Sequence, residues 1–225
     1  MEVLFVRHGQ PEWERDGLAV DNPPLTELGR QQAESLADRL ADVEIDEILV
    51  SPLVRAQQTV APLLTRTGRE ALTLPWLAEI GAPRWDGTPT EVVERIFQEE
   101  WTRPLEDLWD GLPGGESFRD FHSRVIGGLD TMLDDAGATR ISDAPPLWTL
   151  HQPARRILVV AHAGTNATSL GHLLGIPPVP WEWERFVSFH ASVSVVRPLE
   201  ISGGHSFSLF RFSDVDHLSP EMRTR

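Results

Sequence analysis

The sequence contains no cysteine, which rules out a disulfide framework and thiolate chemistry of any kind. No apolar run approaches the roughly 20 residues that a membrane helix needs, and no basic segment leads into an apolar stretch at the N-terminus. The expected setting is therefore cytoplasmic, without membrane contact. Positive charge is also scarce: 20 Lys and Arg face 34 Asp and Glu, a formal net charge of −14 over 225 residues. Such a balance argues against a broad nucleic-acid surface or an anionic membrane as partner. If the ligand is an anion, its cationic site must be local. Neither a repeat of fixed period nor a low-complexity tract is present. The length and even composition fit one domain over 1–225; oligomeric state stays open, with a homodimer allowed.

What the chain does have is a series of short apolar runs, each stopping on a polar residue. Met1 to Val6 is apolar and rich in β-branched residues, the pattern of a buried strand, and it stops at Arg7, His8 and Gly9. Asp46 to Ser51 (DEILVS) reads as a second strand, and Ser51-Pro52 as the N-cap and first residue of a helix. Leu53, Ala56, Val60, Leu63 and Leu64 give that helix one apolar face, and Pro62 is expected to kink it or end it early. Ile157 to Ala161 (ILVVA) is the clearest strand and ends on His162, before Ala163 and Gly164.

Between these runs, Pro11 to Pro24 reads as a loop, and Thr26 caps a helix over Glu27 to Leu40. Ala71 to Leu77 is expected as a further strand. Thr88 to Glu91 spells a capping box for a helix to Trp101, followed by a short helical piece from Pro104 to Asp110. After the turn Gly111 to Ser117, Ser117 caps a helix whose face is Phe118, Phe121, Val125, Leu129, Met132 and Leu133. Gly127 and Gly128 weaken it by roughly 1 kcal/mol each relative to alanine, so it needs tertiary support. Ala136 to Arg156, broken by Pro145, Pro146 and Pro153, is expected to be a long connection without regular structure. Leu170, Leu173 and Leu174 line a helix closed by Gly175 and Pro177, and strands follow at Val193 to Val196 and Phe207 to Phe212. Strands alternating with helices imply an α/β fold, three layers α/β/α around a mainly parallel sheet.

Arg7 and His8, Ser51 leading to Arg55, and His162 then fall at one edge of that sheet, the carboxyl edge where such folds keep their chemistry. Alone, an Arg-His-Gly turn or a helix-surface arginine such as Arg55 is unremarkable; the convergence gives them meaning. Arg55, in the first turn of its helix, shares the edge with free backbone N–H groups and a helix dipole that favour an anion. Two arginines and a histidine can neutralise and orient a phosphoryl group without a metal, because guanidinium forks match its oxygens in pairs. A metal site would prefer carboxylates or a His pair at i, i+4, and neither is present. His8, beside a permanent charge and before a glycine that lets another group approach, suits a nucleophile facing an anion. His122, His172, His190, His205 and His217 show no pairing that argues for a ligand role, and His151 is read as lying outside the pocket. Most of the eight tryptophans are expected in the core, with Trp13, Trp85 and Trp109 candidates for an apolar wall beside the substrate.

The ordered motifs VRHG (Val6 to Gly9), LTELGRQQA (Leu25 to Ala33) and SPLVRAQQT (Ser51 to Thr59) are followed by LAE (Leu77 to Glu79) and WDG (Trp85 to Gly87). PGGES (Pro113 to Ser117) and VVAHAG (Val159 to Gly164) complete the set. Over nearly its full length the chain thereby resembles the histidine phosphatase superfamily, also called the phosphoglycerate mutase-like proteins. The resemblance implies that His8 is the nucleophile and forms a phosphohistidine, that Arg7, Arg55 and His162 hold the phosphoryl oxygens, and that Glu79 is the proton donor. It also implies a lid-like insertion at about 79–117, no metal, no cofactor, and a small phosphate monoester as substrate. Gln10 is a further phosphate contact on this pattern. The loop after His8 runs QPEWERDG, where many relatives carry Glu-Thr or Glu-Ser and then Asn. Mutase members carry an Asn and a Phe-Thr-Gly-Trp segment where this chain has GLAVDNPP (Gly17 to Pro24), which favours hydrolysis over transfer. A phosphomutase and a non-catalytic phospho-ligand binder are the alternatives.

Overall fold

A computed structural model describes residues 1–225. The chain opens with β1 (Glu2–Arg7), a small ribbon of β2 (Glu14–Arg15) and β3 (Leu18–Ala19), and α1 (Glu27–Leu40). It continues through β4 (Glu47–Val50), α2 (Val54–Thr67), β5 (Leu72–Thr73), a 3-10 turn at Pro75–Leu77, α3 (Thr90–Glu100) and α4 (Leu105–Leu108). Then come α5 (Phe118–Asp135), β6 (Ala138–Asp143), β7 (Pro146–Leu150), β8 (Arg156–Ala161) and α6 (Ala163–Leu173). The last elements are α7 (Glu182–Arg185), β9 (Val193–Ile201), β10 (Gly204–Asp214) and a 3-10 turn at Pro220–Met222. No helix is long and apolar enough to cross a membrane.

Eight strands form one sheet in the order β5-β4-β8-β1-β9-β10-β7-β6. Its first half, β5, β4, β8 and β1, is parallel, whereas β9, β10, β7 and β6 extend it antiparallel from β1. Side chains in the parallel half alternate between two cores, as the period of two requires. Val3, Phe5, Leu49, Ile157 and Val159 pack with Leu129, Leu133, Leu170 and Leu173 of α5 and α6. Leu4, Val6, Ile48, Val50, Leu158 and Val160 face Leu36, Ala37, Val60 and Leu63 of α1 and α2. The result is the expected three-layer α/β/α arrangement, with β1, β4 and β8 buried on both faces.

Several local expectations are corrected. Residues 136–156 are not structureless: they form the β6-β7 hairpin at the sheet's antiparallel edge, with Trp148 buried against Phe207 at 4.8 Å between ring centres. The segment 71–77 is a strand only at Leu72–Thr73, because Pro75 opens a 3-10 turn. Helix α3 starts at Thr90 with Pro89 at its cap, so Thr88 is not the N-cap; its carbonyl instead accepts Ala19 N–H. Helix α2 begins at Val54 with Leu53 as N-cap and runs through Pro62 to Thr67. The caps Thr26 and Ser117 hold as expected, accepting from Gly29 N and Asp120 N. The tertiary support for Gly128 is Trp76: a Cβ at that position would lie 2.1 Å from the indole Cγ.

Candidate active site

Four adjacent strands deliver the site. At the carboxyl ends of β4, β8 and β1 stand Ser51, His162 and His8, and because β9 is antiparallel to β1, its amino end brings His190 to the same edge. The ladder extends past the strands: His8 N–H donates to Ala161 O at 3.0 Å, Ala191 N–H to His8 O at 3.1 Å, and Ser51 N–H to Val160 O at 3.0 Å. His8 is thus bonded through its backbone on both sides. Gly9 lies against the first turn of α1 so closely that a Cβ there would meet Gly29 O at 2.7 Å, and a Cβ on Gly29 would meet Gln10 O at 2.2 Å. Thr59 ties this loop to α2, accepting from Gly9 N–H at 2.9 Å and donating to Arg55 O at 2.7 Å.

The His8 ring is buried. Its Nδ1 lies 2.7 Å from Gly9 O, so Nδ1 carries the proton and Nε2 keeps its lone pair. That Nε2 accepts from Arg55 Nε at 3.3 Å. Burial, and then the neighbouring His162, Arg55 and Arg7, hold the ring's pKa well below the usual histidine value, so the imidazole is neutral at physiological pH. His162, 5.1 Å away between ring centres, is kept neutral by burial and by the same two arginines. Its Nε2 is 2.7 Å from Ser51 Oγ, which also accepts Leu53 N–H at 3.3 Å. His162 Nε2 is the only acceptor the Ser51 hydroxyl proton meets, so Ser51 donates to Nε2 and His162 Nδ1 is the protonated nitrogen. The predicted cap is thus spent on orienting a histidine.

Arg55 is buried, and burial lowers its pKa to about 10, partly countered by Glu79; it remains charged at neutral pH. Its guanidinium stacks on Trp13 at 4.8 Å from the ring centre, so this tryptophan does line the site. Arg7 donates from Nη1 to Ser188 O at 2.6 Å and from Nη2 to His190 Nε2 at 3.1 Å. His190 in turn meets Thr224 Oγ1 through Nδ1 at 2.9 Å. Three buried nitrogens of this group, Arg7 Nε, Arg55 Nη1 and His162 Nδ1, have no partner within the protein. Buried polar groups are rarely left so, and an anion between them would satisfy all three.

Glu79 sits at the N-terminus of α6. Its Oε2 accepts Gly164 N–H at 2.9 Å and its Oε1 accepts Ile80 N–H at 3.1 Å. A Cβ on Gly164 would fall 2.5 Å from Oε1, so only glycine admits the carboxylate here. The carboxylate also acts electrostatically on both Arg7 and Arg55, which puts it beside the cationic group. Arg124 fixes the segment from behind. It donates to Trp76 O at 2.9 Å and Ala78 O at 3.1 Å while bonding both carboxylate oxygens of Glu116 at 2.8 and 2.7 Å.

The structure therefore brings Arg7, His8, Arg55, Glu79 and His162 together. Gln10 is bonded at the cap of α1, where its Oε1 accepts the Thr26 hydroxyl at 2.9 Å. His190 is the residue that sequence reasoning missed. Its ring is 5.7 Å from His8, and recognising β9 as antiparallel would have placed it at this edge.

The profile of the histidine phosphatase superfamily (branch 1) matches residues 3–205. A probable phosphoglycerate mutase, GpmB, of Yersinia enterocolitica is 28% identical over 183 residues, covering 79% of this chain and 77% of that protein. Among solved structures, mycobacterial glucosyl-3-phosphoglycerate phosphatase in complex with inorganic phosphate superposes with a TM-score of 0.69 at 25% identity, over 97% of this chain and 99% of that one. A protein described as mycobacterial hydrolase 2 superposes with a TM-score of 0.72 at 24% identity, over 98% of this chain and 93% of that one, a likeness of fold.

Proposed function

The chain belongs to the histidine phosphatase superfamily, and from that premise we propose that it is a metal-independent phosphomonoesterase acting on a small-molecule monoester through a phosphohistidine on His8. The observation that carries this reading is the buried, neutral His8, its lone pair fixed on Nε2, beside three buried donor nitrogens that lack a protein partner. Nε2 attacks phosphorus as the P–O bond to the alcohol breaks. Arg7, Arg55 and His162 Nδ1 hold the non-bridging oxygens, supplying the neutralisation a metal would otherwise provide. Glu79 gives its proton to the departing oxygen, since an alkoxide is a poor leaving group. In the second half, Glu79 takes a proton from water, whose oxygen attacks phosphorus and releases inorganic phosphate and neutral His8. Atoms and protons balance over the two steps.

A phosphomutase is the second reading, favoured by relatives such as the probable phosphoglycerate mutase of Yersinia enterocolitica. A phosphomonoester panel assayed for phosphate release and for isomerisation, with chelator present, separates the two. Release that survives chelator, with an acid-labile, base-stable phosphoryl group trapped on His8 and lost in His8→Ala, is the expected result. Isomerisation without release would overturn hydrolysis, and full activity in His8→Ala would overturn the nucleophile.

A further inference from the structure

Resting on the phosphomonoesterase reading, we propose that the segment 79–117 and the loop before α7 enclose a subsite for an apolar alcohol, so that the preferred substrates are monoesters of aryl-alkyl or branched alkyl alcohols rather than of polyols or hydroxy acids. A cavity of ≈ 130 Å³ lies among Ile80, Pro83, Phe97, Trp101, Leu108 and Trp183. Its position ties it to the reaction. Ile80 supplies the N–H that Glu79 Oε1 accepts, and the Trp183 ring lies 3.2 Å from where a Cβ of Gly164 would stand, beside the N–H that Glu79 Oε2 accepts. Two of the cavity's lining residues, Ile80 and Trp183, are thus neighbours of the proton donor. An alcohol whose oxygen meets Glu79 has its carbon skeleton at that mouth.

Size and charge define the occupant. A cavity of roughly 150 Å³ lined by aliphatic and aromatic groups holds a benzene ring, so this one suits a phenyl group or a branched chain of similar bulk. Two carboxylates, Glu100 and Glu116, are the only ionisable groups of its lining, and each is already paired, with Arg103 and with Arg124, at 2.7 Å. No cation faces the cavity to receive a second anionic group, so a glycerate carboxylate would meet like charge and apolar walls. Phe97 and Trp101 remain about half exposed, as side chains that a ligand covers would be.

The test compares 2-phenylethyl phosphate with glycerol 1-phosphate, both esters of primary alcohols. We expect kcat/KM to favour the phenylethyl ester at least tenfold in the wild type, and the ratio to fall toward one in Leu108→Trp, which fills the cavity. In parallel, the non-hydrolysable 2-phenylethylphosphonate is titrated by calorimetry against methylphosphonate. At least tenfold tighter binding, lost in Leu108→Trp, supports the subsite even if no monoester is turned over, a result that would sink the phosphatase reading alone. Equal affinities in the wild type, or a preference that survives Leu108→Trp, would overturn the subsite whatever the turnover.

Discussion

Replacing His190 by leucine isolates the residue that no motif announces. Its Nε2 accepts one Nη2 hydrogen of Arg7 at 3.1 Å, and Thr224 Oγ1 fixes the tautomer from the other side at 2.9 Å. A hydrogen bond to a charged donor is worth about 1.5–3 kcal/mol. If that restraint on Arg7 is felt fully in the transition state, kcat/KM falls by about 10- to 150-fold. His190→Gln keeps an acceptor near the position of Nε2 and should recover most of the loss. A second readout separates positioning from bulk. Burial, with Arg7 adding to it, pushes the His190 pKa down to about 3, so the folded protein refuses a proton that the unfolded chain takes up below the usual value near 6.5. Stability therefore falls with pH through that window by about 1.4 kcal/mol per unit for this histidine. Urea unfolding near pH 7.5 and near pH 5 should show His190→Leu losing about 2 kcal/mol less on acidification than the wild type. His8, His162 and His217, whose values are also depressed, keep the slope of the same sign. A folded His190→Leu with kcat/KM within twofold of wild type refutes the reasoning.

Ser51→Ala frees the tautomer of His162 and should lower kcat/KM about tenfold; if the hydroxyl acts only through that ring, the loss disappears in a His162→Ala background. Glu79→Gln should cost about 10² to 10⁴ on alkyl phosphates and little on p-nitrophenyl phosphate, whose phenolate needs no proton; equal losses on both would reassign Glu79 to binding. Gly128→Ala drives a methyl group to 2.1 Å from Trp76 and should destabilise by about 1–3 kcal/mol in urea despite the better helix former; unchanged stability would show that Trp76 swings away freely. Inorganic phosphate at about 100 times its Kd should add about 2.7 kcal/mol, a rise in Tm of about 5–11 °C. An undiminished rise in Arg55→Gln would place the anion elsewhere.

Strands β1, β4 and β8 were legible because each carries an unbroken apolar run buried on both faces, ending abruptly where the polar edge begins. That made Arg7, His8, Arg55 and His162 readable as one group. The antiparallel half was not, for a physical reason: β6, at the outer edge, buries only Ala138 and leaves Thr139 and Ile141 exposed, and the Ala144-Pro145-Pro146 corner hides the hairpin. Because β9 runs antiparallel to β1, its amino end brings His190 to the edge where His8 stands, an orientation that the apolar run Val193 to Val196 does not itself signal. Ser51 shows a different limit, since its local context does spell an N-cap. Its hydroxyl is taken by a histidine 111 residues away, a competition invisible in the sequence. Gln10 likewise meets a local partner, its Oε1 accepting the Thr26 hydroxyl at the cap of α1.

The charge arrangement resolves an apparent conflict in asking a nucleophile to sit among cations. Two guanidiniums that help keep His8 unprotonated would also pull electron density away from Nε2 during attack. Around His8 the formal charges are those of Arg7 and Arg55, so the site is positive before substrate binds. A phosphoryl dianion cancels that charge on arrival. The field that suppresses protonation of free His8 is thus balanced by the substrate itself, and Nε2 meets phosphorus with its lone pair intact. The chain's formal net charge of −14 does not cancel the effect, because exposed charges are screened beyond about 8 Å at physiological salt, whereas Arg55 and His8 act across 3.3 Å of buried contact. Burial is therefore the condition on which the chemistry depends. It lowers the pKa of both histidines, strengthens the grip of two arginines in an acidic protein, and confines their pull to the one anion that fits.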